Sequence, residues 1–145
     1  MASLLKEAAA LEWTKDQFVL SDQQELLDMK AVYQLLSTTY WAGDRAKETI
    51  KKSIENSITF GIYTGDRQIG FARVVTDKAV FSWLLDVVID EAYRGNGLGK
   101  WLMDCILVHP DIRETNMSLS TEDAHLFYEK YGFKRNETMR RVSTV

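Results

Sequence analysis

Arg94-Gly95-Asn96-Gly97-Leu98-Gly99-Lys100 is the segment whose residue types and spacing most directly imply chemistry. Three glycines at alternate positions remove the Cβ atoms that would hold an anion away from the backbone. The apolar stripe that follows, Leu98, Trp101, Leu102, Cys105 and Ile106, has helical spacing. The unpaired first-turn amides and positive end of such a helix suit a phosphate, and Arg94 and Lys100 can add full charge beside it. A turn that merely lets the helix pack would carry the same glycines. Spacing excludes the commonest nucleotide loops. G-x-G-x-x-G fails whether counted from Gly95 or from Gly97. A Walker loop fails because Trp101 follows Gly99-Lys100 and Arg94 stands where its first glycine belongs.

Three other groups carry reactive side chains. Asp86 interrupts an apolar run, on the face shared by Val80, Ser82, Leu84 and Val88. A buried carboxylate needs a partner or solvent, so Asp86 is either a catalytic base or the partner of a structural cation or of backbone donors. Glu122, Asp123 and His125 gather near a helix start, where acidic residues are also ordinary first-turn chemistry. Cys105 lies inside the apolar stripe of its helix and reads as core, not as a nucleophile.

The elements that must position these groups follow from periodicity. Gln17-Phe18-Val19-Leu20 reads as a first strand, and Asp28 can cap a helix carrying Met29, Val32, Leu35 and Leu36. A second helix follows Asp44, with Ala46, Ile50 and Ile54 on its inner face. The period then becomes alternating: Ile58, Phe60 and Ile62, a turn at 64–66, Ile69, Phe71 and Val75, a turn at 76–78, and a long strand from Ala79 to Ile89. The glycine segment and its helix come next and end near Pro110. A short strand at 116–120, a helix from Glu122 to Tyr131 closed by Gly132, and a strand start at Phe133-Lys134-Arg135 complete the order. This is an α+β class.

Composition bounds the rest. With 145 residues and 46% hydrophobic content, one domain over 1–145 can build a full core. The net charge of −3 argues against nucleic acid or an anionic membrane as the main partner. A single cysteine excludes an internal disulfide framework and suits a reducing compartment. The N-terminus lacks a secretion-signal pattern, and no apolar run is long enough for a membrane span. A cytoplasmic location is expected.

Arg94, Gly97 and Gly99 satisfy R-x-x-G-x-G after a long apolar strand, and Phe127-Tyr128-Glu129-Lys130-Tyr131-Gly132-Phe133 follows at the appropriate separation. In these two motifs and in its element order the chain resembles the GNAT superfamily of acyl-CoA-dependent N-acyltransferases. The resemblance implies a mixed, mostly antiparallel central sheet, splayed at the acyl-CoA site, with helices on both faces. It implies that the main chain of Arg94, Gly95, Asn96, Gly97, Leu98, Gly99 and Lys100 binds the diphosphate of acetyl-CoA. It also implies that Val87, Val88 and Ile89 pair with the pantetheine arm, and that the amide of Val88 or Ile89 polarises the thioester carbonyl. Tyr128 is implied as the acid for the departing thiolate, while Asp86, from its place in the apolar run and not from the resemblance, is the candidate base. Tyr40, Trp41 and Trp83 are implied to border the acceptor, and His125, from its polar group at the helix start, is a further candidate to touch it.

The expected activity is direct transfer of an acetyl group to a primary amine, on a small molecule or peptide, without a metal. A non-catalytic acyl-CoA-binding module would carry the same loop. Asp90-Glu91-Ala92 lacks the family's usual proline, which implies a change in loop rigidity. The C-terminal tail is short for the family's last strand, which leaves an edge that a second copy in a homodimer could complete.

Overall fold

The computed structural model describes residues 10–145. Six strands form one sheet in chain order: β1 (Glu12–Lys15), β2 (Phe18–Ser21), β3 (Ile58–Thr64), β4 (Arg67–Thr76), β5 (Phe81–Ile89) and β6 (Asn116–Ser118). Every neighbouring pair is antiparallel except β5 and β6, which run parallel. The helices are α1 (Met29–Ser37), α2 (Lys47–Glu55), α3 (Leu98–Val108) and the short α4 (His125–Glu129). The class is α+β, as the periodicity requires.

Two apolar clusters lie on opposite faces of the sheet. Phe71 packs with Val32, Leu35 and Leu36 of α1 and Ile50 and Ile54 of α2. Its neighbour Ala72 packs with Phe60, Ile62 and Val74 and with Leu98, Leu102 and Ile106 of α3. Successive strand residues point to opposite faces, so α1 and α2 cover one side and α3 the other. Asp28 caps α1 by accepting from the Ala31 amide at 3.2 Å.

One irregularity sets the geometry of the site. Phe71 pairs with Val88 and Arg73 with Leu85, so β5 takes three steps where β4 takes two. The extra residue is a β-bulge, and Asp86 within it has φ +57°, a left-handed conformation that aspartate tolerates better than most residues. Leu84, before the bulge, belongs to the α3-side cluster, whereas Val88, after it, belongs to the α1/α2-side cluster. The single face read for Ser82, Leu84, Asp86 and Val88 is therefore two faces joined at a bulge.

Four further expectations are corrected. The strand at Phe18 is the second arm of a hairpin whose first arm, Glu12–Lys15, is polar and half-exposed and shows little apolar alternation. β5 starts at Phe81, not Ala79, because Asp77 Oδ1 accepts from the amides of Ala79, Val80 and Phe81 and curls residues 77–80 into a turn. α4 is shorter than the apolar spacing suggests: Thr121 Oγ1 accepts from the Ala124 amide at 3.0 Å in a separate turn before it, and after it the Tyr131 and Gly132 amides bond carbonyls three residues back. Gly132 does close α4, at φ +86°, but residues 133–135 form no strand.

Core burial and capping differ in weight. Phe60 is fully buried. Phe60→Ala should cost about 3–5 kcal/mol, whereas Asp28→Ala should cost about 1 kcal/mol. Urea unfolding midpoints of the two variants measure the difference.

Candidate active site

The last strand before the glycine segment is followed by one 3-10 turn, Glu91–Tyr93, capped by Asp90. The chain then enters α3 through Gly97, whose φ of +71° makes it a left-handed cap with no side-chain partner. Gly95 also has positive φ, +85°, and a Cβ added there would meet nothing within 4 Å. Among the described residues, no protein acceptor takes the backbone amides of Gly95, Asn96, Gly97, Leu98, Gly99 or Lys100; the first paired amide of the helix is Trp101, bound to the Gly97 carbonyl. The donors are thus open, as an anion cradle requires. Asn96 contributes differently: its Nδ2 donates to the Tyr93 carbonyl at 2.8 Å and shapes the turn.

The slot beside this loop comes from incomplete strand pairing. β6 pairs only with Phe81, Ser82 and Trp83, so Leu84–Ile89 have no strand on that side. The amide of Asp90 donates to the Ile69 carbonyl at 2.8 Å. Ladder alternation then turns the polar groups of Val88 toward β4 and those of Ile89 into the slot. Arg94 Nε reaches the Ile89 carbonyl at 3.3 Å, which agrees with that direction and leaves the Ile89 amide available. Of the two amides expected to polarise the carbonyl, only that of Ile89 faces the slot.

Loop and slot open into one cavity of about 700 Å³. Its walls are Thr38–Trp41 after α1, Val87–Ile89, the glycine segment, and Asp123, Ala124, Phe127 and Tyr128 at the start of α4. Burial, with the charge of Asp123 and the Tyr40 ring adding, pushes the Tyr128 hydroxyl up to about 12, so it is a stable proton donor at neutral pH. Tyr40 bridges the mouth, its hydroxyl accepting from the Glu122 amide at 3.3 Å.

The family model for the acetyltransferase (GNAT) domain matches residues 55–135, more than half of the chain. The chain belongs to the GNAT superfamily. It is 30% identical to a candidate acetyltransferase of Gibberella zeae, over 84% of this chain and 82% of that one. A crystal structure of a candidate GNAT acetyltransferase from Xanthomonas campestris superposes with a TM-score of 0.84 at 35% identity, covering 90% of this chain and 96% of that one. A GNAT acetyltransferase from Elizabethkingia anophelis, solved with acetyl-CoA bound, shares the fold with a TM-score of 0.67 at 16% identity, over 85% and 80% of the two chains. This GNAT protein is an acyltransferase by the same relationships. Among its described residues no cluster of three or more His, Cys, Asp or Glu side chains could hold a metal ion, and no helix is long and apolar enough to cross a membrane.

Two assignments change within this GNAT scaffold. Asp86 is not a free base. Its carboxylate is 1% exposed and takes three donors: Trp41 Nε1 at 3.0 Å on Oδ1, with Arg45 Nη1 at 2.8 Å and Arg73 Nε at 2.6 Å on Oδ2. Burial alone would raise its carboxyl, but the hydrogen bonds and charges of Arg45 and Arg73 outweigh burial and hold it below the usual value. Such a carboxylate is a poor proton acceptor. It fastens the α1–α2 connection and β4 to the bulge.

The residues expected to border the acceptor also separate. Tyr40 and Trp41 line the first cavity, whereas Trp83 and His125 line a second, of about 590 Å³, between β6 and residues 131–136. Tyr128 lines both. Sequence reasoning missed Lys15, whose Nζ stands 3.5 Å from the Cβ position of Gly97. Nothing local at Lys15 signals a loop some eighty residues away.

Asp86→Asn keeps the shape and tolerates the left-handed backbone, yet leaves two guanidinium groups facing an amide. Breaking a buried pair in this way costs about 3–5 kcal/mol at neutral pH. A carboxyl lowered on folding contributes stability above its ordinary value near 3.9, and that contribution disappears as pH falls through the folded value. The difference in thermal midpoint between wild type and Asp86→Asn should therefore be full at neutral pH and shrink once the pH drops below about 4.

Proposed function

We propose that this GNAT protein is an N-acetyltransferase that moves an acetyl group from acetyl-CoA directly to a primary amine while both are bound. The observation that carries the reading is that Gly95 and Gly97–Lys100, with their open amides, line one cavity together with Ile89 and Tyr128. Acetyl-CoA, when bound, supplies an activated acetyl thioester.

The residues then divide the work. The Gly95–Lys100 amides, with the α3 dipole behind them, hold the diphosphate. The backbone of Val87 and Ile89 orients the pantetheine arm, and the Ile89 amide donates to the carbonyl oxygen as negative charge develops there. As the C–N bond forms and the C–S bond breaks, Tyr128 gives its proton to the departing sulfur, and the proton lost by the acylated nitrogen passes through solvent to restore the phenol. With Asp86 committed to its arginines, Asp123 is the carboxylate that lines the cavity with Tyr128 and can draw a cationic amine toward it. An alkyl amine with pKa near 10.4 is neutral only about once in 2,500 molecules at pH 7, so loss of its proton costs roughly 4–5 kcal/mol. The second cavity, with Trp83 and His125, gives the acceptor a separate approach to Tyr128. Its chemistry suits an amine carried on a small molecule or on a peptide.

Cys105 takes no part. It is buried in the α3 face, and desolvation with the nearby Asp104 pushes its thiol up to about 11, so it is not a thiolate at neutral pH. Cys105→Ala should keep turnover within about twofold, and mass spectrometry of the wild type with acetyl-CoA alone should show no acetylated protein. A stoichiometric acetyl adduct at Cys105 would refute direct transfer.

Thiol release in the presence of an amine panel tests the activity as a whole; no amine-dependent release would leave only a binding module. Tyr128→Phe should lower kcat by more than about tenfold with little change in affinity for CoA. In the wild type the rate should rise with pH as the amine loses its proton. It should show no falling limb up to about pH 10, because Tyr128 keeps its proton over that range.

A further inference from the structure

Lys15 ends β1 and, through the turn at Asp16 and Gln17, pairs with Phe18 at the start of β2. Phe18 is 5% exposed and packs edge-on against the Tyr93 ring, with centroids 6.1 Å apart. Tyr93 is the last residue of the turn that leads into the glycine segment. The hairpin is thus built against the root of the loop, and this contact delivers the Lys15 ammonium to within 3.5 Å of the Cβ position of Gly97.

That location is unfavourable for a cation on its own. The first turn of α3 presents the positive end of an eleven-residue helix and a row of open amides. Among the described residues no carboxylate lies within ion-pair distance of Lys15, whereas Lys100, within the same segment, is paired with Asp104 at 3.1 Å. Lys15 is also half-buried, so water does not fully screen it. An anion between the ammonium and the amides converts this repulsion into two converging attractions.

We propose that Lys15 is a ligand of the carrier's diphosphate, a side-chain clamp that the β1–β2 hairpin holds opposite the main-chain cradle. The inference rests on the acetyl-CoA reading and adds to it a residue from outside the glycine segment. It makes the N-terminal hairpin part of the binding site.

The test compares wild type, Lys15→Gln and Lys15→Arg in the full chain, titrated with acetyl-CoA, with its dephospho form lacking the 3′-phosphate, and with acetyl-pantetheine lacking the diphosphate. Lys15→Gln should raise Kd and KM about tenfold for both nucleotide carriers, with kcat at saturation unchanged. Lys15→Arg should restore most of the affinity. Acetyl-pantetheine should be used equally by all three proteins. An unchanged Kd for acetyl-CoA would overturn the assignment, as would a loss confined to the carrier with the 3′-phosphate. An equal loss with acetyl-pantetheine would show a disturbed fold and overturn it too. Wild-type binding of acetyl-CoA in the same titration reports separately on the underlying reading.

Discussion

The interaction on which the site depends is the burial of one carboxylate, Asp86, at a bulge in β5. A left-handed residue in mid-strand is strained, and the ring of Trp41, Arg45 and Arg73 around its side chain holds it there. The extra residue moves the following side chains to the other face of the sheet. Val88 can then pack under α1 and α2 while Val87 and Ile89 join the α3-side cluster. The bulge also lies just beyond the last β5 residue paired with β6. Strand divergence, and with it the slot, begins where the carboxylate is buried.

The site is mostly main chain. Glycine-segment amides, the Ile89 amide and the free side of β5 contribute through backbone geometry, which α3, β4 and the Asp90-capped turn keep in place. Side chains enter where charge must be concentrated or a proton supplied. A modest net negative charge is compatible with an anion cradle here, because partial charges on aligned amides do not register in a count of ionisable groups.

Much of this was readable before folding, and the reason is locality. The Asp28 cap, the β3–β5 meander, the glycine segment and the Gly132 stop each depend on residues within a few positions of one another. The bulge was not readable, because alternation looks the same on both sides of an inserted residue while the faces have exchanged. Asp86 was flagged correctly as an anomaly, but its partners come from positions 41, 45 and 73, and only their convergence distinguishes a clamp from a base. β1, at the sheet's edge, has a single large apolar residue, Trp13, in its four positions, too few to betray a pattern. Apolar spacing continues past the helix at 125–129 to Tyr131, whose amide bonds a carbonyl three residues back in a tightened turn and not four back.

Tyr128 forms a party wall between two chambers, one bordered by the glycine segment and the other by β6 and the chain that follows α4. Apart from Tyr128 the two chambers share no lining residue. A substitution at Tyr128 therefore reshapes both chambers at once, whatever each of them holds.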